Sequence, residues 1–167
     1  AKAARAAQAD KATSVVVQPP EGLENRTRQL AEGLELGAYR FTKYFTGERK
    51  PKANLENATL IFARKLPASA AAEVAIGRGV GLGVNVARDL SNEPPNEMTP
   101  ALLAEAAKAA GRTHEFKVTV FDEKEIDRRG MRLIQAVGRG SVHPPRFVHM
   151  SFTPAGAKKK LVFVGKG

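Results

Sequence analysis

The sequence predicts an α/β fold in which a mixed sheet is layered with helices. Helical patterns alternate with short β-branched runs along the 167 residues, and the part after Pro67 holds enough strands for a sheet. The composition, 43% hydrophobic and 26% charged, is typical of globular proteins. The absence of cysteine excludes disulfides and thiolate metal sites. No apolar run approaches the roughly 20 residues of a membrane span, so no membrane partner is expected.

Residues 1–66 have the pattern of the end of a smaller unit. The alanine-rich stretch 1–12 is helical in pattern, and the β-branched run 13–17 predicts a strand. A helix is expected from Asn25, because its apolar residues recur at intervals of four, four and three; they are Leu30, Leu34, Ala38 and Phe41. Residues 58–63 predict a second strand. Two strands and two helices are too few to close a core of their own.

The elements from Pro67 onward build the larger unit. Thr99 and Pro100 are typical of a helix start, the first as cap and the second at the first helical position. The last run, Lys-Leu-Val-Phe-Val, is apolar as expected of a strand covered on both faces. In order, the predicted elements are a helix over 67–92, a helix over 100–111, a strand over 117–121, a helix over 122–130 capped by Asp122, and strands over 132–138, 146–152 and 160–164.

The long helix carries four glycines, at positions 77, 79, 81 and 83. A dinucleotide-binding loop would need a further glycine five residues after the first, where Leu82 or Val84 stands. Glycine in a helix costs about 1 kcal/mol relative to alanine, so packing must compensate. The glycines therefore predict a helix face that another backbone approaches closely.

The net charge of +10 is spread evenly along the chain. Residues 1–66 hold 12 basic and 7 acidic side chains, and residues 67–167 hold 15 and 10, which leaves +5 in each part. The charge leaves DNA binding open as an alternative function, because Lys and Arg neutralise phosphates. The interleaved acids and the absence of Trp favour an ordinary solvated surface.

Few side chains have the spacing of a chemical site. The three histidines, His114, His143 and His149, do not lie three or four residues apart, so we expect surface or structural histidines. Lys166 lies between two glycines, but the segment lacks the first glycine and the Ser or Thr of a phosphate loop. The residues alone favour a strand-end lysine with its amine in solvent.

Three motifs, in order, resemble the leucyl (cytosol) aminopeptidase family of dinuclear-metal exopeptidases. They are Asn-Glu-Pro-Pro-Asn at 92–96 with Thr99-Pro100, the stretch 138–145, and Val-Gly-Lys-Gly at 164–167. The likeness covers residues 25–167. It implies a two-domain subunit, with residues 1–66 as the C-terminal part of the N-terminal α/β domain with its connecting helix. Residues 67–167 are then the first part of the catalytic domain.

The resemblance implies that Lys166 is a metal ligand, and it assigns no catalytic and no cofactor-binding residue within these positions. A lysine ligand must be a neutral amine, because an ammonium has no lone pair. The implied cofactors are two divalent metal ions, Zn²⁺ or Mn²⁺, which support hydrolysis that releases N-terminal amino acids from peptides. The implied assembly is a cytoplasmic homo-hexamer acting on peptide substrates.

The family carries its metal-binding carboxylates after the counterpart of Gly167. We therefore expect this chain to be a fragment, inactive alone, whose partner is the remainder of the catalytic domain. Two alternatives from other functional classes stay open: a DNA-binding protein, and a purely structural subunit derived from the same family.

Overall fold

The computed structural model describes residues 1–166 and divides them into two compact units, Ala1–Asn92 and a second that begins at Glu93. The α/β class is confirmed, although the four strands form two separate two-stranded sheets. The helices are α1 (Lys2–Ala9), α2 (Thr27–Ala38), α3 (Ala70–Asn92), α4 (Pro100–Thr113), α5 (Glu123–Arg128) and α6 (Arg132–Gly138). The strands are β1 (Ser14–Val17), β2 (Asn57–Leu60), β3 (Lys117–Phe121) and β4 (Phe147–Ser151), and short 3₁₀ turns lie at Glu24–Arg26 and Gly47–Arg49.

The first unit pairs a small parallel sheet with three helices. Strands β1 and β2 run parallel, with Ser14 opposite Asn57 and Val17 opposite Leu60. Helix α1 packs on α2 through small side chains, since Ala4 and Ala7 are buried. The predicted division of the chain into domains at 1–66 and 67–167 stays a prediction. In the structure, α3 packs within the first unit.

Helices α2 and α3 pack side by side, and two glycines of α3 allow their backbones to approach each other closely. A Cβ at Gly77 would fall onto the carbonyl oxygen of Arg28, and one at Gly81 would lie 2.6 Å from the Cβ of Glu35. Each added Cβ would lie closer to its neighbour than van der Waals contact allows, so a larger residue at either position would push the helices apart. The expected close approach is thus confirmed at these two glycines, while Gly79 and Gly83 face open space.

The second unit builds an antiparallel pair of strands against α4. Strands β3 and β4 pair from Lys117 opposite Ser151 to Phe121 opposite Phe147. The predicted caps are confirmed, because Thr99 Oγ1 accepts from Leu102 N and Asp122 Oδ1 accepts from Glu125 N at 2.9 Å. Gly111 on α4 is buried against β3.

Two predicted strands are wrong. Residues 132–138 form helix α6, since Arg, Leu, Gln and Ala are good helix formers and the apolar spacing fits a helix equally well. Residues 160–164 have no regular secondary structure, and Leu161 to Val164 are 78–94% exposed. A strand needs a neighbour for its backbone hydrogen bonds, and no segment within residues 1–166 pairs with this run.

Candidate metal-ligand segment

Lys166, the predicted metal ligand, lies in the irregular segment that follows β4. From Phe152 to Lys166 the segment has no helix or strand and is exposed throughout. One backbone hydrogen bond of a turn is described in it, in which Ala157 N donates to the carbonyl of Pro154. The last residue of the motif, Gly167, lies outside the described residues. The amine of Lys166 is therefore free to approach a partner from solvent, and its role as a ligand stays a prediction.

The residues that the structure describes do not fit a metal pair by themselves. Within positions 1–166, no group of three or more His, Cys, Asp or Glu side chains is placed to hold an ion. Divalent metal sites need several such donors around each ion. Lys166 could supply one donor, and the carboxylates expected beside it are not gathered by any element of the described chain.

Within residues 1–166, the remaining titratable candidates do not gather into a metal-binding group. His114, His143 and His149 are exposed, as expected of surface histidines. The acidic run at the start of α5 lies in solvent at the helix N-terminus, where the dipole favours negative charge. In it, hydrogen bonds from Arg129 and then Arg128 lower the pKa of Glu125.

The motif at 138–145 forms a tight connector between α6 and β4. Ser141 N donates to the carbonyl of Gly138 at 3.0 Å, and the Ser141 hydroxyl accepts from His143 N at 3.0 Å. The ring of Pro145 lies 3.2 Å from where a Cβ of Gly138 would sit, so this position has little room for a side chain. The motif thus fixes how the chain enters β4.

A polar cluster lies between the ends of α2 and α3, and no sequence pattern predicts it. The Tyr39 hydroxyl donates to Asp89 Oδ1 at 2.8 Å and accepts from Asn92 Nδ2 at 3.0 Å. The Arg88 guanidinium lies 5.4 Å from the centre of the Tyr39 ring and donates to the carbonyl of Leu36. Partial desolvation raises the pKa of Tyr39, and the hydrogen bond to Asp89 adds to the shift. These partners are about 50 residues apart along the chain, so only the tertiary structure reveals them.

Within residues 1–166, no helix has the length and apolar character needed to cross a bilayer.

Two models of one protein family match the chain, and both describe parts of a peptidase. The model for the N-terminal domain of the cytosol aminopeptidase family matches residues 1–47, and that for its catalytic domain matches residues 85–167. The α/β fold, the three motifs and these two matches in the expected order define an aminopeptidase-type chain. The chain belongs to the cytosol aminopeptidase family.

Relatives and solved structures agree with this assignment. A probable cytosol aminopeptidase of Persephonella marina is 36% identical over 88% of the chain and 29% of its own length. One of Chlorobaculum tepidum is 43% identical over 83% of the chain and 29% of its own length. The chain therefore spans less than a third of each.

Two solved structures share the fold over nearly the whole chain. A mutant of tomato leucine aminopeptidase matches with a TM-score of 0.81 and 25% identity, over 95% of this chain and 33% of its own. The bottromycin maturation enzyme BotP in complex with Mn matches with a TM-score of 0.74 and 26% identity, over 91% of this chain and 32% of its own.

Proposed function

We propose that these residues are part of a metal-dependent aminopeptidase that releases N-terminal amino acids, of the leucine type, from peptides. The observation that carries the proposal is the pair of family matches to residues 1–47 and 85–167. The relatives named probable cytosol aminopeptidases and the BotP structure with Mn support it. The proposal includes a homo-hexamer in the cytoplasm, with the remainder of the catalytic domain as its partner. It also includes that the 167 residues alone are inactive.

Lys166 is proposed to hold one of two divalent ions, Zn²⁺ or Mn²⁺. Such ions, when bound, activate water and polarise the scissile carbonyl. The lysine contributes a nitrogen lone pair, so its amine must lose a proton as it binds. Its neighbour Gly165 has nothing within 4 Å of where a Cβ would sit, so the backbone beside the amine is not crowded.

The test uses the complete protein, loaded with Mn²⁺ or Zn²⁺, and a leucyl-peptide substrate. Lys166→Ala should lower activity and metal content together. Lys159→Ala is the matched control, because it removes a lysine from the same exposed segment. If Lys166→Ala kept full activity and metal content, the ligand role would be refuted. Lack of aminopeptidase activity in the metal-loaded complete protein would refute the function itself.

A further inference from the structure

A cavity of about 390 Å³ lies in the first unit, where the chain leaves its two parallel strands. At the carboxyl ends of β1 and β2, Ile61 N donates to the carbonyl of Val17 at 3.0 Å and extends their pairing by one residue. The lining comes from the segment 18–24 after β1 and from Phe62 and Ala63 after β2. Small molecules bind to α/β folds at the carboxyl ends of parallel strands, and this volume lies within the usual range of their sites.

One of the two carboxylates in the lining is already paired. Arg64 Nη2 donates to Glu21 Oε2 at 2.8 Å and so joins the two segments that form the cavity. Glu24, the second carboxylate, is half-buried, and no hydrogen bond or ion pair to its side chain is described within residues 1–166. A partly desolvated carboxylate is stabilised by a positively charged partner. Glu24 therefore gives the cavity a preference for cations.

The rest of the lining supplies apolar surface and little that would hold an anion. Pro19 and Pro20 have no backbone N–H, so they present no hydrogen-bond donor. Their rings, together with Ala63 and the half-buried Phe62, form the apolar part of the lining. An aromatic ring also attracts a cation placed near its face. The cavity thus suits a ligand that carries a positive charge on an apolar body.

We propose that this cavity binds a small organic cation, an ammonium, amidinium or guanidinium group on an apolar body. Glu24 is its counter-ion, and Phe62 contacts its apolar part. A neutral apolar ligand would desolvate Glu24 further without pairing it, and an anion would meet a like charge. The site goes beyond the aminopeptidase function and does not depend on it or on Lys166, so either proposal can fail without the other.

The test uses the complete protein, freed of other reactive cysteines, and benzamidine as the probe. Ala63→Cys places a thiol in the lining, and its labelling by N-ethylmaleimide reports occupancy of this cavity and not of the catalytic site. We expect saturating benzamidine to slow the labelling at least fivefold, and benzamide, the neutral analogue of similar shape, to leave it unchanged. Lys50→Cys, in the exposed loop after α2, should label at the same rate with and without the probe.

The role of Glu24 is tested in the Ala63→Cys background. Glu24→Gln should abolish the protection by benzamidine while leaving the labelling rate without the probe unchanged, which shows that the cavity is still formed. Glu48→Gln, a change of the same kind at an exposed position outside the lining, should keep the protection. The proposal would be overturned by labelling that benzamidine does not slow, by equal protection from benzamide, or by full protection in Glu24→Gln. A thiol at position 63 that does not label even without the probe would also overturn it, because other polypeptide would then fill the cavity.

Discussion

Gly77→Ala tests whether the close packing of α2 against α3 depends on the absence of a side chain at position 77. The new Cβ would fall on the Arg28 carbonyl oxygen, which belongs to the backbone of α2 and cannot rotate away. Overpacking of this kind costs up to about 3 kcal/mol, while alanine returns about 1 kcal/mol of helix propensity. The expected net loss in free energy of unfolding is therefore up to about 2 kcal/mol, which corresponds to a fall in melting temperature of up to about 4–8 °C for a chain of this size.

The matched control is Gly79→Ala, the same chemical change two residues further along the same helix. A Cβ at Gly79 meets no atom within 4 Å, so this variant should gain up to about 1 kcal/mol. Both are measured in the polypeptide of residues 1–167 by urea unfolding, followed by circular dichroism at the helix band. If Gly77→Ala were as stable as Gly79→Ala, the helices would not be held at the distance described.

Three further changes probe other contacts. Tyr39→Phe should remove a loss of stability at alkaline pH. Folding raises the pKa of Tyr39 above its value of about 10 in the unfolded chain. The protonated tyrosine therefore stabilises the fold below that value, and this stabilisation is lost as the pH rises through the pKa of the folded state. Unfolding measured across that range checks it, and an unchanged alkaline profile would contradict it. Glu125→Gln should make the stability less sensitive to acid. Folding lowers the pKa of Glu125, so its carboxylate stabilises the fold at pH values above its pKa in the unfolded chain, and this stabilisation is lost as the pH falls through the folded pKa. Identical stability of both proteins across an acid titration would argue against this. Ile126→Ala should destabilise by about 2–5 kcal/mol, because Ile126 is fully buried, and Leu133→Ala, at 86% exposure, is its control in the same unfolding assay.

The prediction that Lys166 is a metal ligand rests on a sequence motif and not on geometry. Val164, Gly165 and Lys166 resemble a family motif, and the described residues do not surround Lys166 with other donors. A metal site collects ligands from segments that are distant along the chain. One stretch of sequence can therefore predict a ligand, but it does not assemble the site around it.

The sequence by itself determined the features that depend on neighbours along the chain. Thr99 and Asp122 cap helices because a side-chain oxygen reaches an amide three residues on, and residues 117–121 form a strand as predicted. Tertiary structure decided the rest. It selected Gly77 and Gly81 to face α2, because helix contacts depend on which side meets a partner. It left residues 160–164 unpaired, because a strand's hydrogen bonds must come from another segment of polypeptide.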